Sequence, residues 1–136
     1  MNKWQERNQP VIREFRENGG KVKGWAPLIL LTTKGAKTGQ PRIIPLMYVA
    51  YGNHILAIAS KGGAVKHPEW YHNLLAHPDV TVEVGDETYD AIATPLTGEE
   101  RDRLYARWAE LYPQFGQYQK NTTRKIPVIA LKRRKG

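Results

Sequence analysis

The sequence predicts an α+β fold, mainly β, with about six mostly antiparallel strands forming a barrel or curled sheet flanked by helices. Three observations predict it. Short apolar runs of strand length recur, most of them joined by hairpin-type turns. Helical periodicity appears only in separate segments and does not alternate with the strands as a parallel α/β sheet requires. The length of 136 residues suits a single domain, residues 1–136, with a core of its own.

Each element follows from its residues. In "NKWQERNQPVIREFREN", Trp4, Val11, Ile12 and Phe15 lie among charges, which predicts an amphipathic helix after Pro10 that Asn18 and Gly19 stop. This N-terminal segment, 1–20, either packs as a lid or lies on a membrane. "LILLTT" is a first strand, and "KGAKTGQP" is a dense loop signal. "RIIPLMYVAYG" and "HILAIAS" pair across Gly52-Asn53, with Pro45 marking an edge or bulge. "HPEWYHNLLAH" is a short helix with Pro68 at its first position and Pro78 as its stop. "VTVEVG" alternates at Val80, Val82 and Val84, and "TYDAIATPL" returns after a Gly85-Asp86 turn. Thr97 and Glu100 form a capping-box pattern ahead of a helix whose face carries Leu104, Tyr105, Trp108, Leu111 and Tyr112. "PQFGQYQKNT" adds a further helical turn, and "IPVIAL" is the last strand.

Composition narrows the function. The chain has no cysteine, so disulfides, thiolate chemistry and cysteine-based metal sites are excluded. His67, His72 and His77 are spaced by five, which spreads them around a helix and predicts no metal site. Ser60 lies in no G-x-S-x-G elbow, so hydrolase chemistry has no support. No window reaches the roughly 20 apolar residues of a membrane span, and the N-terminus is too polar for a secretory signal. A cytoplasmic protein is expected, with peripheral membrane association as the alternative. The net charge is +8, and setting aside Lys132 to Lys135 of the basic tail 132–136, read as a frayed end, leaves +4. That excess suits an anionic ligand at least as well as nucleic acid.

Two loops concentrate this charge. In "ASKGGAVKHPEWYHN", Lys61, Gly62, Gly63 and Lys66 stand between a strand and a helix start, where converging backbone N–H groups can cradle an anion. The loop after the first strand offers Lys34, Lys37, Arg42, two glycines and three threonines. Each loop follows the C-terminal end of an apolar strand, so the two can share one rim. Tyr112, Phe115 and Tyr118 recur every three residues and share one side of a helical turn, as core or as a pocket wall.

The segments "LILLTTKGAKTGQPRIIPLMY", "ASKGGAVKHPEWYHNLLAHPDVTVEV", "TGEERDRLYARWAELYPQFGQYQ" and "RKIPVIAL" resemble the deazaflavin-dependent nitroreductase family, from Trp25 to Leu131 and in the same order. The S-K-G-G-x-x-x-H-P-x-W-Y-x-N stretch is the most specific part. The resemblance implies a split β-barrel that binds coenzyme F420 in a surface groove. It assigns Lys37, Arg42 and Lys61 to the coenzyme's phosphate and acidic tail, and the backbone of Gly62, Gly63 and Ala64 to its length. Pro45, Met47, Trp70 and Asn73 match positions near the ring or its supporting helix, and Ser60 the ring edge. Tyr112, Phe115 and Tyr118 match the substrate side. Family members often carry tyrosine where this chain has Phe115, which argues against nitroimidazole reduction and leaves quinones and enones open. Ala36 stands where a basic residue is frequent.

The function expected from this resemblance is hydride transfer from reduced coenzyme F420 to an electron-poor small molecule such as an enone, quinone or nitro compound. Tyr118, Tyr112 or solvent supplies the proton, and Ser60 completes the catalytic set. Alternatives are an FMN-binding barrel and a non-catalytic deazaflavin carrier. Nucleic acid is not an expected partner, and the chain is expected to be a monomer or homodimer.

Overall fold

The computed structural model describes residues 3–24, 27–51, 54–59 and 67–134, with side chains from residue 8 onward. In chain order the elements are α1 (Lys3–Glu17), β1 (Leu28–Lys34), β2 (Pro41–Met47), β3 (Val49–Tyr51), β4 (His54–Ile58) and α2 (Glu69–Ala76). There follow β5 (Asp79–Val84), β6 (Glu87–Pro95), α3 (Gly98–Leu111), α4 (Pro113–Lys120) and β7 (Val128–Arg133).

One sheet holds all seven strands in the order β2-β1-β5-β6-β7-β4-β3, and every neighbouring pair is antiparallel. β2 and β3 stand at opposite ends of that order, yet only Tyr48 separates them in the chain. A sheet whose two edge strands are consecutive must curl until its ends meet. Residues 41–51 therefore act as one strand that pairs first with β1 and then with β4, and the result is a split barrel. The sequence reads this stretch as a single strand, because its alternation continues through Tyr48, and so counts six strands where there are seven. Pro45 lies on the edge strand β2, where a residue without an N–H is tolerated. Gly52 and Asn53 lie outside the described residues, and Tyr51 pairs with His54 across them. Val84 pairs with Glu87 across Gly85-Asp86, with Gly85 at φ +57°.

The pleat sorts side chains into three apolar clusters. Ile29, Leu31, Ile55, Ala57, Val80, Val82, Ile129 and Leu131 fill the barrel interior, together with Trp70 and Leu74 from α2. On the opposite face, Leu56, Ile58, Val128 and Ala130 meet α3 and α4. Leu28 and Leu30 meet Ile12 and Phe15 of α1. The N-terminal helix is thus a packed element. Arg16 reinforces it with a two-pronged bond to Glu83 on β5, at 2.9 and 3.0 Å. Among the described residues no helix is long and apolar enough to cross a membrane.

Four local expectations are corrected. α1 starts at Lys3, and Pro10 lies inside it on an exposed position. Burial of Ile12 and Phe15 outweighs the one intrahelical bond that proline removes. The capping box does not form. Thr97 occupies the N-cap, but its hydroxyl makes no cap bond because the left-handed Gly98, φ +61°, turns the chain between Thr97 and Glu100. Leu111 is 61% exposed, since the chain turns at Tyr112 and Phe115 of α4 takes the place against Trp108. Finally, the end of the chain is not frayed through Arg134. Lys132 and Arg133 extend β7 against Ile92 and Ala91, Arg133 pairs with Glu87 at 2.9 Å, and Arg134 with Asp79 at 3.3 Å.

The turn after α1 depends on close backbone approach. A Cβ on Gly20, φ +91°, would stand 2.7 Å from the Gly85 Cα, whereas one on Gly24, φ +83°, would meet nothing within 4 Å. Both substitutions strain the backbone by about 1–2 kcal/mol, and only Gly20→Ala adds a backbone clash. Urea unfolding should therefore show a distinctly larger stability loss for Gly20→Ala than for Gly24→Ala; equal losses would contradict this packing.

Candidate functional site

Strand direction decides which loops meet. With all neighbours antiparallel, β1, β4 and β6 end on one rim of the barrel, and β2, β5 and β7 begin there. That rim gathers loop 35–40, Ala59, His67, the start of α3 and segment 121–127. Ser60, Lys61, Gly62, Gly63 and Ala64 lie outside the described residues, but Ala59 and His67, on either side of their segment, are on the rim.

The β1–β2 loop is tightly built. Gly35 N–H donates to the Gln40 carbonyl at 2.8 Å, Gly39 N–H to the Gly35 carbonyl at 2.8 Å, and Gln40 N–H to Thr38 Oγ1 at 3.2 Å. A Cβ on Gly35 would fall 2.7 Å from Thr38 Oγ1, so glycine lets the loop fold back on itself. Lys37 is exposed on this loop. Arg42 is partly buried opposite Thr33 and donates to the Pro41 carbonyl at 3.2 Å. Among the described residues neither cation has a carboxylate partner within ion-pair distance.

Asn73 fastens this loop to α2. Its Oδ1 accepts the Ala36 N–H at 3.0 Å, and its Nδ2 donates to Thr33 Oγ1 at 3.2 Å. Asn73 is 9% exposed and Thr33 1%, so the pair is a buried polar joint with both partners satisfied. Trp70 lies in the barrel interior and holds α2 from below. Pro45 is buried on β2, and Met47 is partly buried where the α1 cluster meets the α3–α4 cluster.

The aromatic residues do come together. Phe115 is 6% exposed, with ring centroids 5.7 Å from Trp108, 6.3 Å from Tyr112 and 5.4 Å from Tyr118, all edge-on. Tyr112 and Tyr118 are partly buried on either side of it. The Tyr105 hydroxyl donates to the Phe115 carbonyl at 2.5 Å and binds α4 to α3.

A polar network absent from the sequence reading underlies this wall. Arg101, 7% exposed, donates to the Ile126 carbonyl and, at 2.7 Å, to Gln119 Oε1, with its guanidinium over the Tyr105 ring. Gln119 Oε1 also accepts the Ile126 N–H, and Gln119 Nε2 donates to the Arg124 carbonyl. The Arg124 guanidinium reaches the Ala59 carbonyl at 3.1 Å and His67 Nδ1 at 3.0 Å. No local pattern marks Arg101 or Arg124, since each reads as one more basic residue in a charged stretch. His67 also packs against the rings of Tyr71, at 4.8 Å, and His72, at 5.9 Å. Among the described residues no group of three His, Asp or Glu side chains is placed to hold a metal.

Both the sequence and the fold have relatives among known proteins. A family profile described as F420H(2)-dependent quinone reductase matches residues 5–133. An F420H(2)-dependent quinone reductase of Mycobacterium tuberculosis is 41% identical over 121 residues, covering 85% of this chain and 80% of that protein. A solved F420-H2 dependent reductase is 42% identical with a TM-score of 0.72, covering 82% of this chain and 100% of that one. Another solved chain, described as a domain-swapped dimer, is 38% identical with a TM-score of 0.73, covering 93% and 97%.

Burial, then Arg124, then His72 push the His67 imidazole below its ordinary value of 6.5, so the neutral ring accepts from Arg124. A base whose value is lower in the fold than in the unfolded chain contributes fully above pH 6.5 and loses that contribution as pH falls through the lowered value. The melting temperature should thus drop as pH falls below 6.5, and less steeply in His67→Gln. Parallel pH profiles for the two proteins would contradict this assignment.

Proposed function

The chain belongs to the F420H(2)-dependent quinone reductase family, and from that premise we propose that it passes a hydride from reduced coenzyme F420 to a quinone-type acceptor. The support is strongest where the family match coincides with geometry: a rim that carries Lys37 and Arg42 without carboxylate partners among the described residues, with the loop holding Lys37 fastened to α2 by Asn73. The donor set fits a polyanionic, ring-bearing coenzyme. Lys37, Arg42 and Lys61 would hold its phosphate and acidic tail by charge-assisted hydrogen bonds, and the backbone of Gly62, Gly63 and Ala64 would line its length. Ser60 would line the ring edge, with Pro45, Met47, Trp70 and Asn73 supporting that side.

When bound, the reduced deazaflavin supplies the hydride at its C5 carbon. The remaining work falls to the protein. The Tyr112 and Tyr118 hydroxyls would donate hydrogen bonds to a carbonyl oxygen of the acceptor, where negative charge builds during its reduction. A tyrosine hydroxyl at this place can polarise the carbonyl or protonate the product. Phe115 supports both tyrosines from beneath and adds no hydroxyl. The missing hydroxyl leaves carbonyl acceptors such as quinones and enones open. A homodimer is consistent with the domain-swapped dimer among its relatives.

Fluorescence titration with coenzyme F420 should show Lys61→Ala and the Lys37→Ala/Arg42→Ala pair weakened by about ten- to hundredfold, the range of a lost charge-assisted bond. Tighter binding of FMN by the wild type would overturn the coenzyme assignment. Tyr118→Phe should leave that affinity unchanged and lower turnover with a quinone by about tenfold or more, as the loss of one oxyanion donor does. Unchanged turnover would remove Tyr118 from the reaction.

A further inference from the structure

Arg124 uses its guanidinium in an unusual way for a basic residue on a basic rim. One nitrogen, Nη1, lies 3.1 Å from the Ala59 carbonyl and 3.0 Å from His67 Nδ1. Those residues are the last before and the first after Ser60–Lys66, the segment that carries the S-K-G-G motif. The backbone of Arg124 is itself fixed. Its carbonyl accepts from Gln119 Nε2 at 2.8 Å, and its N–H donates to Thr122 Oγ1 at 3.3 Å. Gln119 follows Tyr118 on α4, and its Oε1 is held in turn by Arg101 and by the Ile126 N–H. Ala59 is also tied across to the Pro127 carbonyl at 3.0 Å. An unbroken chain of hydrogen bonds thus runs from the helix bearing the acceptor-side tyrosines to both ends of the lysine-glycine segment.

We propose that Arg124 is a positioning residue, which joins the two ends of the Ser60–Lys66 segment and registers them against α4, so that coenzyme and acceptor meet in a reactive arrangement. The inference rests on the coenzyme reading above and adds to it a residue that need not touch either reactant. Three features favour this role over one of stability alone. The guanidinium reaches the mouth of one loop, at the Ala59 carbonyl and His67 Nδ1. It bonds the two flanks with a single nitrogen, which brings them to a common point. Its main-chain anchor is the residue next to Tyr118. Lysine can reproduce a single bond at this place but not the planar, multiply donating group.

Three proteins, the wild type, Arg124→Met and Arg124→Lys, should be titrated with coenzyme F420 by fluorescence, melted without ligand, and assayed with a quinone. In Arg124→Met we expect coenzyme affinity to fall by about tenfold, in line with the loss of a charged donor to two acceptors. Turnover at saturating coenzyme should fall further, while Arg124→Lys should lie between Arg124→Met and the wild type on both measures. Should Arg124→Met not fold, the same comparison between Arg124→Lys and the wild type decides the matter. A variant with a lowered melting temperature but wild-type coenzyme affinity and turnover would reduce Arg124 to a structural part and overturn the proposal. If the wild type does not bind the coenzyme, the preceding reading fails and this one with it. Wild-type binding with unaffected variants sinks only the role of Arg124.

Discussion

The closure of the sheet is the constraint on which the molecule depends. Because residues 41–51 divide their pairing between β1 and β4, the two outer edges of a seven-stranded sheet are covered by one stretch of chain. Closure fixes strand direction all round the barrel, and direction in turn fixes which loops are neighbours. The β1–β2 loop and the ends of the β4–α2 connection share a rim for this reason and not through any attraction between them. The rim inherits its rigidity from an interior in which Ile29, Leu31, Ala57, Val82 and Ile129 leave almost no surface to water.

Onto that scaffold the chain adds buried polar joints at the points where loops must be held. Asn73 with Thr33 and Arg101 with Gln119 are of this kind. Each removes polar groups from water, which is costly unless every donor and acceptor finds a partner, and a satisfied pair then tolerates little displacement. An apolar contact at the same position would stabilise the fold without fixing the loop's orientation. The aromatic wall is a mixture of both means: Phe115 packs edge-on among Trp108, Tyr112 and Tyr118, while its carbonyl is held by the Tyr105 hydroxyl.

Much of this was legible from the residues. Strand-length apolar runs, the Gly85-Asp86 turn and Pro45 on an edge all follow from local backbone chemistry, and the aromatic triplet follows from helical spacing. What was not legible depends on partners distant in the chain. Alternation through Tyr48 is the same whether one neighbour is paired or two. Lys132 to Arg134 look solvated until β6 supplies a ladder and Glu87 and Asp79 supply acids. Thr97 and Glu100 have the spacing of a cap, but the pattern does not carry the φ of Gly98. Arg124 and Arg101 are indistinguishable by type from the exposed cations around them; only the fold reveals that one is buried and the other bridges two flanks.

The pairing of the terminal arginines has an effect at a distance. Arg16, Arg133 and Arg134 each face a carboxylate, so those parts of the surface are close to neutral overall. Among the described residues Lys37 and Arg42 face none, and both stand at the same rim of the barrel as positive charge that no carboxylate offsets. Such an imbalance acts as a long-range field that draws a dissolved anion toward the rim before any contact is made, within a Debye length of about 8 Å at physiological ionic strength. Capture of an acidic cofactor by this protein is accordingly an event whose speed, and not only its strength, responds to salt.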